Sequence, residues 1–137
     1  MAHVASLLIR AKRPLVLLGS QCMLRAAPDA APLVAALEVL GAPMFLGGMA
    51  RGLMGREHAL HLRQERGKAL QEADLVLLAG SVPDFRLQYG RALPKGVPVI
   101  CINRRCGCDS IVTASLPKSP TLIFSFSSPR ALSNACP

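Results

Sequence analysis

The chain has 137 residues, enough for one domain, and 51% of them are hydrophobic, with 11 glycines and 11 prolines. This is a globular composition, and it excludes a large multidomain enzyme within these residues, a disordered chain and a collagen-like one. Sixteen basic residues against eight acidic ones give a formal net charge of +8, a balance that favours anionic partners.

Val4, Leu7, Leu8 and Ala11 recur at helical spacing and predict a helix over residues 2–11. Pro14 ends it. The run Leu15-Val16-Leu17-Leu18 before Gly19-Ser20 reads as a strand buried on both faces, as in a parallel sheet. Asp29 is placed as an N-cap and Pro32 sits early in the next helix, whose stripe is Leu33, Ala36, Leu37 and Leu40. Gly41 occupies the position of a terminating glycine. Pro43-Met44-Phe45-Leu46 is a second short strand, ending at Gly47-Gly48. A polar, glycine-broken stretch runs from Met49 to Arg63. Residues 64–73 predict a helix with Ala69, Leu70 and Ala73 inward. Leu75-Val76-Leu77-Leu78 is a third strand, ending at Gly80-Ser81. Asp84 can cap a short helix through Tyr89, and residues 97–102 form a fourth strand ending at Asn103.

Strands alternating with helices predict an α/β fold: a doubly wound, Rossmann-like parallel sheet with helices on both faces. Residues 1–104 form that domain; about two-thirds of the surface of a chain this size is buried on folding. Residues 105–137 differ in character. They hold seven of the ten serines and four of the eleven prolines, so they read as a divergent tail, poorly ordered or a weak edge addition to the sheet. Ile111-Val112-Thr113 and Leu122-Ile123-Phe124 are its only strand candidates. The sheet is therefore expected to be incomplete on its C-terminal side. Its fourth strand would be an exposed edge that invites self-association.

Ligands of open parallel sheets bind at the carboxyl ends of the strands. Gly19, Ser20, Gln21, Gly48, Gly80 and Ser81 fall there, where small residues let backbone amides approach a phosphate. Arg66 lies close to the same edge and offers a two-pronged phosphate clamp. Asn103 offers a hydrogen bond to a ribose or base. The Gly-x-Gly-x-x-Gly dinucleotide fingerprint is absent, and glycines after strands are also ordinary turn residues.

Other chemistries find less support. The basic residues are scattered and not interleaved with aromatics, and a single-stranded nucleic-acid platform needs such rings. No nucleic-acid partner is expected. His58 and His61 would need a third ligand for a zinc site, and Glu57 is the only near candidate, so an exposed loop is the reading. Cys106-Gly-Cys108 is too tight for a zinc knuckle, and Cys22 and Cys101 read as small buried hydrophobes. No nucleophile elbow surrounds Ser20 or Ser81. Glu65, Glu72 and Asp74 read as surface charge and the approach to a strand. The methionines read as packing. No run of 18 apolar residues exists, so no membrane span is expected. The order of charge and apolar residues at the start does not suit a secretory signal.

Three segments carry a family resemblance. Ala11-Lys12-Arg13-Pro14 leads into the strand ending at Gly19; Leu40-Gly41-Ala42-Pro43 precedes Gly48-Met49-Ala50-Arg51-Gly52-Leu53; and Arg66-Gly67-Lys68-Ala69-Leu70 runs on to Ala73-Asp74 and the strand ending at Gly80. In order and spacing they resemble the central domain of thiamine-diphosphate-dependent enzymes, nearest to acetolactate synthase-like 2-hydroxyacyl-CoA lyases. The resemblance implies a doubly wound domain that binds FAD in acetolactate synthases, and ADP or a CoA-related nucleotide in the acyl-CoA branch. It places Arg66 on an arginine near the nucleotide. The chain departs from the pattern at Gln21, often a glycine, and at Asn103, usually an aspartate.

The resemblance also implies thiamine diphosphate and Mg²⁺ in the parent family, held on domains before and after this one. It implies a homo-oligomer and an endoplasmic-reticulum-membrane association; without it the default compartment is cytoplasmic. The expectation is a central-domain piece of a carbon–carbon lyase or synthase, from a truncated or alternatively spliced product, inactive alone. The alternatives are a stand-alone nucleotide-binding or interaction domain and, in third place, a basic nucleic-acid-associated protein.

Overall fold

The computed structural model describes residues 2–26, 29–103 and 121–125. Helix α1 (Ala2–Arg10) leads into strand β1 (Pro14–Leu18). Helices α2 (Ser20–Ala26) and α3 (Ala31–Leu40) connect β1 to β2 (Met44–Leu46). A 3₁₀ turn over Gly48–Gly52 and α4 (Arg66–Glu72) lead to β3 (Leu75–Ala79). A second 3₁₀ stretch, Phe85–Gly90, precedes β4 (Val99–Asn103), and β5 (Thr121–Ser125) follows.

All strands are parallel, in the order β2-β1-β3-β4-β5. Side chains alternate across a strand, so each apolar run serves two cores. Leu15, Leu17, Val76, Leu78, Val99 and Cys101 pack with Leu70, Ala73, Leu87 and Leu93 on one face. Val16, Leu18, Leu75, Leu77 and Ile100 pack on the other, with Met44 and Leu46. Against that second face lie Val4, Leu7 and Leu8 of α1, Cys22 and Met23 of α2, and Leu33, Val34 and Leu37 of α3. The expected doubly wound α/β sheet is present.

Local signals explain most of the boundaries. Gly41 ends α3 in left-handed backbone, φ 63°, and its N–H donates to the Leu37 and Glu38 carbonyls. Asp29 caps differently from the expectation: Ala30 is the cap residue, and the Asp29 carboxylate accepts from the Ala31 N–H at 3.0 Å. Asp84 caps the Phe85–Gly90 stretch as expected, accepting from the Arg86 N–H at 2.8 Å. Asp74 does more than approach β3. Its two carboxylate oxygens accept from the Lys12 and Arg13 amides at 2.7 and 2.9 Å, tying the α1–β1 turn to the start of β3.

Two expectations are corrected. The sequence pattern assigns no element between Gly19-Ser20 and Asp29, but α2 occupies Ser20–Ala26; seven residues are too few to display an apolar repeat. Strand β4 is not an edge. The apolar run Leu122-Ile123-Phe124 supplies β5, which pairs with it from Val99↔Thr121 to Asn103↔Ser125. At the opposite side, Met44 exchanges backbone hydrogen bonds with Leu60 and Leu62, so the 60–62 segment runs beside β2. Ile111–Thr113, Cys106, Cys108 and the rest of the tail apart from 121–125 lie outside the described residues.

Candidate functional site

The chain passes from β1 outward to β2, then returns across β1 to build β3 on its other side. Such a reversal opens a crevice at the strands' carboxyl ends. An open cleft of about 940 Å³ lies there, at the ends of β1, β2 and β3. Gly19, Ser20 and Gln21 line it from β1, Gly47, Gly48 and Arg51 from β2, and Gly80, Ser81, Asp84 and Arg86 from β3. His61, Arg63, Glu65 and Arg66 complete it from the β2–β3 connection.

The glycines answer to backbone packing. A Cβ on Gly19 would stand 2.2 Å from the Gly80 carbonyl oxygen and 2.6 Å from the Ser81 Cα. One on Gly80, itself at φ 60°, would stand 2.6 Å from the Cys22 nitrogen. The loops after β1 and β3 are thus in direct contact and form the floor of the crevice. Their amides are engaged there: Gly19 N–H donates to the Ala79 carbonyl, Gln21 N–H to Gly80, Cys22 N–H to Gly19 and Gly80 N–H to Ile102. The sequence reading of an amide cradle for a phosphate therefore changes at Gly19, Gln21 and Gly80. At the β2 end the Ser20 hydroxyl accepts from the Met49 N–H at 3.1 Å, and Gly48, φ 55°, leaves it room.

Asn103 is placed elsewhere. It is buried at the end of β4 and does not line the cleft. Its Nδ2 donates to the Ser81 carbonyl at 3.3 Å, which braces the loop after β3. The residue reaches the site through Ser81.

What projects into the cleft is positive charge. Arg51, Arg63, Arg66 and Arg86 line it, against Glu65 and Asp84. Arg86 pairs with Asp84 at 2.6 Å and lies over the Phe85 ring, 4.8 Å from its centroid. Glu65 lies 3.8 Å from Lys68. Arg66 Nη2 donates to the Arg86 carbonyl at 2.7 Å. Arg51 and Arg63 have no partner among the described residues. Sequence reasoning singled out Arg66 alone. Arg51 and Arg63 are not among its site residues, because only the fold brings the β2–β3 connection to the rim. The usable signal was their position between two glycine-ended strands.

The histidines do not share a site. His58 Nε2 meets Glu38 Oε1 at 3.2 Å, while His61 Nδ1 faces the Gly55 carbonyl at 3.3 Å. Among the described residues no three metal-ligating side chains gather, and no helix is long and apolar enough to cross a membrane. Cys22, under the β1 loop, has its thiol pushed up from its ordinary value by burial, partly opposed by a hydrogen bond with the Gly19 backbone.

A two-faced parallel sheet with its cleft at a strand-order reversal defines an open, doubly wound α/β domain. The family model of the thiamine pyrophosphate enzyme central domain matches residues 1–106, and the chain belongs to that family. Over 98 residues it is 58% identical to 2-hydroxyacyl-CoA lyase 2 of Mus musculus, covering 72% of this chain and 15% of that protein. The corresponding protein of Caenorhabditis elegans is 52% identical over 104 residues, 74% of this chain and 16% of its own length. A probable acetolactate synthase of Mycobacterium bovis is 35% identical over 102 residues, 74% of this chain and 18% of that protein. The chain therefore spans less than a fifth of the curated relatives it matches.

Proposed function

We propose that this chain supplies the nucleotide-binding central domain of a thiamine-diphosphate- and Mg²⁺-dependent carbon–carbon lyase or synthase, of the 2-hydroxyacyl-CoA lyase or acetolactate synthase-like kind. The observation that carries the reading is the cleft's donor set. Arg51 and Arg63 point uncompensated charge at a site where open α/β sheets take ligands. Guanidinium groups suit phosphate oxygens. ADP or a CoA-related nucleotide is the proposed ligand, with FAD as the flavin counterpart. Arg66 adds its remaining N–H donors, Ser20, Gly48 and Ser81 line the ligand's walls, and Asn103 holds Ser81 in place.

The same donor set does not fit Mg²⁺, which takes oxygen ligands. Asp84 is committed to Arg86, and Glu65 faces Lys68. Thiamine diphosphate supplies a carbanion-stabilising thiazolium when bound, and no step of that chemistry is assigned to these residues. These 137 residues alone are proposed to be non-catalytic. The parent is proposed to be a homo-oligomer associated with the endoplasmic reticulum membrane.

A second reading, a small nucleotide-binding or interaction domain that folds by itself, is favoured by β5. That strand comes from beyond the matched residues and still completes a pairing with β4.

Calorimetric titration with ADP, CoA and FAD tests the cleft. One-site binding of at least one nucleotide is expected, and binding of none contradicts the proposal. A lyase assay with thiamine diphosphate, Mg²⁺ and a 2-hydroxyacyl-CoA is expected to show no turnover by this chain. Turnover would return the catalytic groups to these residues.

A further inference from the structure

The β3–β4 connection forms one wall of the cleft through Val82, Asp84, Arg86 and Leu87. Its main-chain hydrogen bonds close on themselves. The Leu87 and Tyr89 amides donate to the Asp84 carbonyl, Arg91 to Gln88, Ala92 to Leu87 and Leu93 to Gly90. Among the described residues, no backbone hydrogen bond ties residues 82–93 to the sheet or to a helix.

Gln88 and Tyr89, neither of them glycine, stand consecutively in left-handed backbone at φ 50° and 52°. Such conformations persist only where surrounding contacts hold them, and they gather at clamps and switches. Here three side chains supply them, two of which, Leu87 and Leu93, pack in the core under the sheet. Pro83, Leu87 and Leu93 are buried, while Phe85 and Tyr89 stand exposed. Among the described residues, the polar link to the rest of the domain is Arg66 Nη2 on the Arg86 carbonyl. Arg66 opens α4 directly after Glu65, which is itself left-handed at φ 55°.

We propose that residues 82–93 are a movable wall of the cleft, and that Arg66 is the positioning residue that couples its closure to an anion bound there. The anion half of this rests on the nucleotide reading above; the wall and its fastening do not. A guanidinium carries five donors in a rigid plane. One holds the Arg86 carbonyl, and others remain for a phosphate oxygen. A phosphate bound to those donors fixes the plane, and with it the Arg86 carbonyl and the turn around Gln88 and Tyr89. A lysine, a single point charge on a flexible stem, cannot hold both acceptors in one fixed geometry.

The test is amide hydrogen exchange on the full chain, as wild type, Arg66→Ala and Arg66→Lys, each with and without pyrophosphate. Without ligand, Arg66→Ala is expected to speed exchange of the Leu87, Tyr89 and Ala92 amides about tenfold, the factor that loss of one hydrogen bond to a charged group supports. The Val76 and Leu78 amides of β3 should keep their rates. Pyrophosphate should slow the wall amides of the wild type and leave them unchanged in both variants. Wild-type exchange of those amides in Arg66→Ala overturns the fastening, as does an equal acceleration in β3. Pyrophosphate binding that leaves the wild-type wall amides unaffected overturns the coupling. Failure of pyrophosphate to bind at all contradicts the nucleotide reading, while the ligand-free comparison still decides the fastening.

Discussion

The floor and the wall of the cleft are built in opposite ways. At the floor, the loops after β1 and β3 touch backbone to backbone, and their amides are engaged with neighbouring carbonyls. At the wall, among the described residues, the 82–93 backbone bonds to itself and meets the domain through three buried side chains and one arginine. The difference separates two roles that a run of small residues after a strand can have. Here the glycines make a rigid base, and the arginines line the cleft around them.

The strongest way to break that contrast is at the floor. Gly19→Ala puts a methyl 2.2 Å from a carbonyl that cannot turn away. It should cost about 3 kcal/mol, the upper range for overpacking, read as a shift in urea midpoint. Gly52→Ala, with open space around its Cβ position, is the control and should change stability by less than about 0.5 kcal/mol. A mild Gly19→Ala would mean that the two loops do not touch.

Asp74→Asn comes next. The aspartate accepts two amides from the α1–β1 turn, and hydrogen bonds to a charged group are worth about 1.5–3 kcal/mol each before exposure reduces them. A loss of about 1–2 kcal/mol is expected on the same scale, and an unchanged midpoint would remove Asp74 as the fastening of that turn.

At the recognition side, Arg51→Ala and Arg63→Ala should each weaken ADP binding about tenfold, the loss of one charged hydrogen bond, and leave the urea midpoint where it was. Raising salt should weaken wild-type binding as well, since partly exposed charges are screened. A loss of binding matched by a loss of stability would place these arginines in the fold and not in the site.

The smallest effect concerns Cys22. Its thiol is pushed above its ordinary value of 9.0, so the folded state favours the neutral form. The stability this contributes is fully present below the unfolded value and is lost as pH rises toward the folded one. Cys22→Ser should therefore flatten a slight decline in stability above about pH 9. An alkaline decline that persists unchanged in the variant would assign it to another group.

Much of the fold was legible because it is written in apolar runs. Leu15–Leu18 and Leu75–Leu78 are short, continuous and closed by glycine, as a strand covered on both faces requires. Gly41 and Asp84 punctuate as their conformations demand. What escaped was short or distant. The seven-residue α2 has no room for a repeat, and the pairing of Thr121–Ser125 with β4 depends on a partner far away in sequence. The site was legible as a rim and less so as residues. Gly19 and Gly80 stand out in the sequence, but their reason is mutual contact across 61 positions, which no local pattern encodes. Arg51 was visible within a family-like segment and Arg63 only as charge. Asn103 ends its strand as expected, yet it acts on Ser81.

The most direct test of the account is a calorimetric titration of ADP into the wild-type chain and into the Arg51→Ala/Arg63→Ala double variant. The account predicts one site on the wild type and a roughly hundredfold weaker one, or none, on the variant, as two independent tenfold losses combine. Undiminished binding by the double variant, or no binding by the wild type, would contradict it.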